Sequence, residues 1–365
     1  MTVAALGAPT PALPRTRFSL PPGLEAGSPP EARGLARDQV RLLVARPGGI
    51  EHARFRQLDR FLDPGDLLVV NTSATLPAAC DGVRAGGGPV LVHFSTALDD
   101  GTWLVELRPP GGGQGPLRDA AAGERVELAG GAHLHLLAGY PDGAGGRLWW
   151  ARVRAAGGVL AWLARAGRPI RYGYVQRSWP LSAYQTVFAR EPGSAEMPSA
   201  GRPFTTALVT RLVAGGVAVA PLLLHTGVAS LEAGEPPLPE RFRVPAATAR
   251  LVEATRRGGG RVVAVGTTVT RALESAARPD GTVVPAEGWT ELVLGPDRPA
   301  RVVDGLVTGL HAPEASHLLL LEAVAGPELV AEAYREAVAE RYLWHEFGDS
   351  CLLLPERRAA RSRAA

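Results

Sequence analysis

The chain has 365 residues, 46% hydrophobic and 21% charged, which suffices for a sizeable core and for two domains and excludes intrinsic disorder over most of its length. Its 39 basic residues face 36 acidic ones and all of them are arginine, so chemistry that needs a Schiff-base or phosphate-binding lysine is excluded. Arg357, Arg358, Arg361 and Arg363 crowd the C-terminus, and without these four the balance is 35 against 36, so the folded part is close to neutral.

Residues 1–34, rich in Pro, Ala and Gly with Phe18 and Leu20 as the evident anchors, are expected to form a flexible lead-in. From Val40 an apolar run predicts a strand. The segment 55–62 predicts a short helix closed by the turn at 63–66, and Leu67 to Val70 predicts a buried strand that ends on Asn71-Thr72-Ser73. Residues 78–156 change character. Short alternating strands (90–94, 103–107, 125–128, 134–137, 148–153) recur between Gly-rich turns about every ten residues, which suggests a small antiparallel β-barrel. A helical pattern begins at Val159. Helices at 206–214, 246–257, 269–275 and 328–340 then alternate with strands at 217–223, 261–265 and 291–294. The economical arrangement is an α/β main domain with mixed sheets, discontinuous in sequence (35–77 and 157–354), with the barrel (78–156) inserted and an Arg-rich disordered tail at 355–365. Cys80 and Cys351 fit no paired or metal-binding spacing, which together with the missing signal peptide predicts a cytoplasmic protein. The apolar runs 215–224 and 318–324 are too short to span a membrane.

Polar clusters follow several of these runs. Tyr184-Gln185-Thr186 precedes Gly193-Ser194 and a small-residue loop, Pro198-Ser199-Ala200-Gly201, that ends in Phe204-Thr205 at a helix start; it reads either as a plain N-cap and turn or as a ligand cradle. Strand 261–265 enters a helix through Gly266-Thr267-Thr268, which aims free N–H groups and hydroxyls at an anionic or hydroxyl-bearing ligand, with structural capping as the alternative. Arg271 and Glu274 stand three apart, as a surface pair or as site residues. His225 and His311 follow apolar runs and are candidate acids or bases, although a lone histidine is more often a hydrogen-bonded structural residue, which is also the reading of His317 and His345. Gly348-Asp349 falls in an expected C-terminal hairpin, as turn residues or as a ligand-binding carboxylate. No stretch has metal-ligand spacing, and there is no P-loop or dinucleotide fingerprint in context.

Taken in order, these clusters resemble the S-adenosylmethionine:tRNA ribosyltransferase-isomerase family of queuosine biosynthesis. The correspondence runs from Leu42 to Leu354. It rests on Leu62-Asp-Pro-Gly-Asp66 with Leu67-Leu-Val-Val-Asn71, Tyr184-Gln-Thr-Val187, Gly193-Ser194, Pro198-Ser-Ala-Gly201 with Phe204-Thr205, Ala264-Val-Gly-Thr-Thr268 with Arg271 and Glu274, His311 with Pro313 and Ser316, and Gly348-Asp349. The resemblance implies an α/β domain interrupted by a small β-barrel. It also implies transfer of the ribosyl portion of S-adenosylmethionine to a 7-aminomethyl-7-deazaguanine base in tRNA and rearrangement to an epoxycyclopentanediol, releasing adenine and methionine. S-adenosylmethionine is then a substrate, and neither metal nor redox cofactor takes part. A base, an acid and hydroxyl-binding groups must converge for this chemistry. His311, Arg271, Glu274 and Asp349 are the expected catalytic positions, and Asn71, Tyr184, Gln185, Thr186, Ser194, Ser199, Gly201, Thr205, His225, Gly266, Thr267, Thr268 and Ser316 the expected substrate contacts.

The chain departs from the family pattern at definite places. Ala200-Gly-Arg-Pro-Phe-Thr205 has Pro203 where the family reads histidine, the downstream His-x-Met-His-x-Glu segment is replaced by Pro239-Glu-Arg-Phe-Arg-Val244, and the family's Ser-Tyr-Gly-Asp-Ala becomes Glu346-Phe-Gly-Asp-Ser350. Phosphate contacts dominate affinity for tRNA, and a near-neutral, lysine-free folded region offers no broad basic field. The tRNA acceptor is thus implied by the resemblance and not called for by the charge balance. The alternatives are a diverged paralogue that uses S-adenosylmethionine or a related nucleoside with another acceptor or as a lyase, and a non-catalytic nucleoside- or RNA-binding protein. A monomer without membrane contact is the expected state.

Overall fold

Runs of Leu and Val that are apolar at every position suit parallel strands covered on both faces, and the central strands of this chain are of that kind. The structure, a computed structural model, describes residues 13–111, 115–141, 146–228 and 237–356. In chain order the strands are β1 (Arg41–Arg46), β2 (Gly49–Arg54), β3 (Leu67–Asn71), β4 (Ser73–Thr75), β5 (Ala79–Arg84), β6 (Pro89–Ala97), β7 (Trp103–Arg108), β8 (Arg125–Leu128), β9 (His133–Tyr140), β10 (Leu148–Arg154), β11 (Glu191–Ser194), β12 (Ala218–Leu224), β13 (Glu240–Val244), β14 (Val262–Val265), β15 (Ala286–Thr290), β16 (Gly305–Gly309) and β17 (Ser350–Leu353). The α-helices are α1 (Val159–Ala166), α2 (Thr206–Ala214), α3 (Ala246–Arg257), α4 (Thr267–Ser275), α5 (Ser316–Ala325) and α6 (Pro327–Ala339).

Nine strands form one mixed sheet in the order β15-β13-β12-β3-β14-β16-β17-β1-β2, and β5 to β10 close a six-stranded antiparallel barrel. Alternation along the strands sends side chains to opposite faces. Leu67, Val69, Val262 and Ala264 pack against α3 to α6, whereas Leu68, Val70, Val263 and Val265 pack against α2 and the short 3-10 helix Phe55–Arg60. The sheet is therefore the middle of three layers. At the amino ends of β3 and β14, the Asp66 carboxylate accepts from the Arg261 backbone N–H at 2.8 Å and from its Nε at 2.9 Å, which gives the 62–66 turn a structural task. β12, β3, β14 and β16 run parallel, so their carboxyl ends share one edge.

The expected α/β fold with an inserted barrel is present, with four corrections. Residues 13–34 are not a loose lead-in: the N–H groups of Arg15 and Thr16 donate to the Glu322 carboxylate at 3.1 and 2.7 Å, the Phe18 ring lies 5.1 Å from Tyr334, and Leu24 is buried in the core. These few anchors suffice because each lands on a fully formed helix or strand. Residues 1–12 and all but the first two of the 355–365 tail lie outside the described residues. The barrel packing continues beyond 156, because Trp162 and Leu163 of α1 and Ile170 belong to its core. The strand expected at 291–294 lies instead at 286–290, paired with β13; past Thr290, Arg271 takes the carbonyls of Thr290 and Leu292 at 3.2 and 3.1 Å, so they are not free for a strand partner. Gly348-Asp349 is not in a hairpin, for β17 pairs parallel with β1 and antiparallel with β16, and Asp349 closes a loop by accepting from the Leu343 and Arg41 N–H groups at 2.8 and 2.7 Å.

Candidate active site

A cavity of about 590 Å³ opens over the carboxyl ends of β14 and β16, between the sheet edge and the segment that leaves the barrel. Its size and place suit a nucleoside-sized ligand at the strand-end crevice of an α/β sheet.

Gly266 joins β14 to α4 with φ 97°, a left-handed conformation that favours glycine, and a Cβ there would come within 3.3 Å of the Ala200 Cβ. The turn leaves the first N–H groups of α4 and the side chains of Thr267 and Thr268 at the cavity wall, where the positive end of the helix dipole attracts anionic or hydroxyl groups. Ser199 and Tyr184 line the same wall from the 180s and 190s loops.

His311 and His317 stack in parallel, ring centroids 4.5 Å apart and planes 2° from coplanar orientation, with Ser316 beside them at the cavity. Thr308 Oγ1 lies 3.0 Å from His311 Nε2, the His311 N–H donates to the Tyr334 hydroxyl at 3.1 Å, and Trp344 Nε1 donates to the His311 carbonyl at 3.0 Å. Burial, reinforced by His317 and His345, holds His311 well below the ordinary imidazole range; burial and nearby Arg271 bring His317 down to about 4. The pair is neutral at pH 7. It can accept a proton or a hydrogen bond but holds no standing positive charge.

Two carboxylates, Glu196 and Glu346, also line the cavity, each held by a tyrosine. Tyr172 donates to Glu196, and the Tyr174 hydroxyl donates to Glu346 Oε2 at 2.6 Å. Burial pushes the Glu346 carboxyl up to about 7, opposed by the Tyr174 hydrogen bond. Burial and the adjacent carboxylates keep both tyrosines protonated. Tyr174 stacks on His345 at 4.3 Å and lies roughly parallel to Tyr172 at 6.2 Å. His345 has φ 72°, strained backbone for a non-glycine residue that holds its ring in the cavity wall.

The expected site residues divide into those that meet and those that do not. His311, Arg271, Tyr184, Ser199, Gly266, Thr267, Thr268 and Ser316 line the cavity. Arg271 does so as a buried partner of Glu240, with Nη2 on the carbonyls of Leu238 and Thr290, so it is neither a surface pair nor bonded to Glu274. Glu274 points the other way, its carboxylate accepting the N–H groups of Arg301, Val302 and Val303 at 2.8 to 3.1 Å. Asp349 borders a smaller neighbouring crevice together with Pro203, His345 and Glu346. Asn71 bridges Ser73 N–H and both backbone groups of Leu224; Gln185 clamps the N–H and C=O of Thr75 at 3.0 and 2.8 Å. Ser194 and His225 meet at Ser73 Oγ, at 2.6 and 2.8 Å, and a Cβ on Gly193 would overlap the His225 ring. Thr186 accepts from Phe188 N–H and packs against Gly201, and Thr205 caps α2 by accepting from Leu208 N–H at 3.2 Å. These polar groups hold the loops beneath the cavity and do not line it.

Tyr172, Tyr174, Glu196, Glu346 and His345 were not among the expected contacts. Tyr172 and Tyr174 belong to a turn in which the Val175 N–H donates to the Tyr172 carbonyl at 3.0 Å, so no strand or helix periodicity in the sequence marked them.

Along the whole chain, the family model for a queuosine biosynthesis protein matches residues 14–353. The S-adenosylmethionine:tRNA ribosyltransferase-isomerase of Symbiobacterium thermophilum is 39% identical over 349 residues, covering 92% of this chain and 98% of that protein, and the enzyme of the same name from Moorella thermoacetica is 36% identical over 360 residues, with 92% and 98% covered. The crystal structure of S-adenosylmethionine tRNA ribosyltransferase from Thermotoga maritima superposes with a TM-score of 0.50 at 30% identity, covering 93% of this chain and 99% of that one. A family match over nearly the full length, relatives this similar from end to end, and the same barrel-interrupted α/β fold establish that the chain belongs to the queuosine biosynthesis protein family, a family of transferase-isomerase enzymes.

Proposed function

We propose that the protein transfers the ribosyl portion of S-adenosylmethionine to the 7-aminomethyl-7-deazaguanine base of a tRNA and isomerises it to the epoxycyclopentanediol of epoxyqueuosine, releasing adenine and methionine. S-adenosylmethionine is a substrate in this reading and no further cofactor is needed. The observation that carries it is a single cavity lined by both kinds of group the reaction needs. The α4 N-terminus with Thr267, Thr268 and the neutral His311–His317 pair suits the hydroxyls and carboxylate of the donor, and the carboxylates of the same lining suit a nitrogen-bearing acceptor. Family membership supports the queuosine pathway. The free, buried thiols of Cys80 and Cys351 fit the reducing cytoplasm, and no helix among the described residues is long and apolar enough to cross a membrane.

The test is incubation of the pure protein with S-adenosylmethionine, with and without tRNA carrying the aminomethyl base, followed by mass spectrometry. Adenine and methionine released in step with epoxyqueuosine, and only when that tRNA is present, is the expected outcome. Release that ignores the tRNA would assign the donor chemistry to another acceptor or to water, and no release would remove the activity from this chain.

A further inference from the structure

We infer that the N-terminal segment 15–27 is a strap that positions two histidines of the cavity from behind, with Phe18 as the positioning residue for His311 and Glu25 as the positioning residue for His345. The inference rests on the reading of the cavity as the ribosyl-transfer site and adds to it residues that act through others.

The strap stands behind the cavity lining, which begins in sequence at Thr75, yet its contacts converge on side chains of that lining. One end is fixed where the Arg15 and Thr16 N–H groups donate to the Glu322 carboxylate. Phe18 then lies 5.1 Å from the Tyr334 ring and 6.0 Å from the Trp344 ring, centroid to centroid. Those two rings grip the His311 backbone, the Tyr334 hydroxyl taking its N–H and Trp344 Nε1 its carbonyl. Further along, the strap bonds the backbone of Trp344 twice: the Trp344 N–H donates to the Leu24 carbonyl at 2.7 Å, and the Ala26 N–H donates to the Trp344 carbonyl at 3.1 Å. Glu25 sits between these bonds, with Oε1 3.1 Å from His345 Nε2. His345 stands at φ 72°, which a non-glycine residue keeps only where its surroundings over-determine it, and the strap restrains it through the neighbouring backbone and through the imidazole. Past Glu25 the strap runs so close to the turn at Tyr174 that a Cβ on Gly27 would come within 2.9 Å of the Tyr174 carbonyl oxygen. Groups that accept a proton or a hydrogen bond from a substrate have to be held to within about 0.5 Å, and this is the supporting layer such placement needs.

Glu25 acts through charge as well. Burial lowers the His345 imidazole below its ordinary range and the Glu25 carboxylate opposes that. The other titratable groups around the ring are Tyr174, stacked on it, Glu346, the next residue, and His311, which a charge on His345 disfavours; all three are the same in wild type and in a Glu25 variant.

The test uses the full chain isotope-labelled at histidine Cε1, followed by nuclear magnetic resonance, together with turnover of S-adenosylmethionine and the modified tRNA at a temperature well below the Tm of each variant. Phe18→Ala should shift the His311 ring signal and lower kcat by about tenfold or more, and Phe18→Tyr, which keeps the ring, should restore both. Glu25→Gln should bring the His345 titration midpoint down by about half a pH unit and lower kcat as well. A Phe18→Ala protein that loses thermal stability but keeps the wild-type His311 signal and kcat overturns the role of Phe18 and leaves it as packing. An unmoved His345 midpoint in Glu25→Gln overturns the role of Glu25. Should Phe18→Ala fail to fold, Glu25→Gln decides, because the Glu25 side chain is exposed. Should the wild type turn over no S-adenosylmethionine, the parent reading fails by itself, and the two ring signals, which need no substrate, still decide the strap.

Discussion

The His311–His317 stack and Glu346 show how burial sets the charge state of a site, in opposite directions for the two residue types. A buried imidazole is held neutral, so on unfolding it gains protons below its ordinary value of 6.5. The unfolded chain thus binds more protons than the folded one between about 6.5 and the folded value of about 4 at His317, and stability is full above that window and lost as pH falls through it. Thermal unfolding followed from pH 7 to 4 should show a falling Tm, and His317→Phe should flatten the decline; an unchanged slope would free the buried ring from responsibility. Glu346 runs the other way, for its carboxyl is up at about 7 and becomes an anion only as pH rises through that value. The titratable side chains that feel its charge, Tyr172, Tyr174 and Tyr184, all stay protonated in this range. Affinity for the amine-bearing base should therefore climb from pH 6 to 8 in the wild type and stay level in Glu346→Gln, as read by titration at each pH. Level behaviour in both proteins would deny the carboxylate a part in holding the amine.

At the scale of elements, α4 separates what the sequence makes legible from what it hides. The strand-Gly-Thr-Thr-helix pattern marks the turn correctly, because an N-terminal cradle is built from local backbone and hydroxyls. Glu274, seven residues on, was expected at the site because it belongs to the same motif, yet two helical turns, about 10 Å along the axis, carry its carboxylate away from the N-terminus to the backbone of 301–303. Asn71, Gln185 and Asp349, expected at the site on the same ground, have side chains that bind backbone 110 to 308 residues away, and such partners exist only once the sheet has formed. Tyr172 and Glu196 escaped notice, and Glu346 stood out only as a departure from the family pattern, for the converse reason: they come from distant segments that the fold brings together at one cavity. Two substitutions in α4 should therefore part company. Glu274→Gln leaves backbone donors underserved at the far end of the helix and should cost about 2–3 kcal/mol of stability in urea unfolding, with the Kd for S-adenosylmethionine unchanged. Gly266→Ala forces a side chain into φ 97° and against Ala200, so besides about 1–2 kcal/mol of strain it should weaken donor binding directly. A catalytic Glu274 would instead lose turnover without losing stability.

For the whole molecule the question is how a nearly neutral protein attracts a polyanion. Three exposed arginines beside the barrel and on β13 are already paired: Arg168 with Asp81, Arg241 with Asp99 and Arg243 with Glu191, each at 2.6 Å. Such pairs add little to stability, but they cancel the long-range field that would steer tRNA toward the cavity. The uncompensated charge sits in sequence at the C-terminus, where residues 357–365 hold four arginines and no acid, and without them the chain carries 35 basic against 36 acidic residues. If the tail supplies phosphate contacts, each arginine contributes a released counterion, so deleting 357–365 should weaken tRNA binding and reduce the magnitude of the slope of log K against log salt by about three. The affinity for S-adenosylmethionine, read in the same preparation, should not move, because the donor meets the cavity and not the field. An identical salt slope in the truncated and full-length chains would place tRNA recognition on the folded surface, where it would have to rest on shape and on the base itself more than on charge.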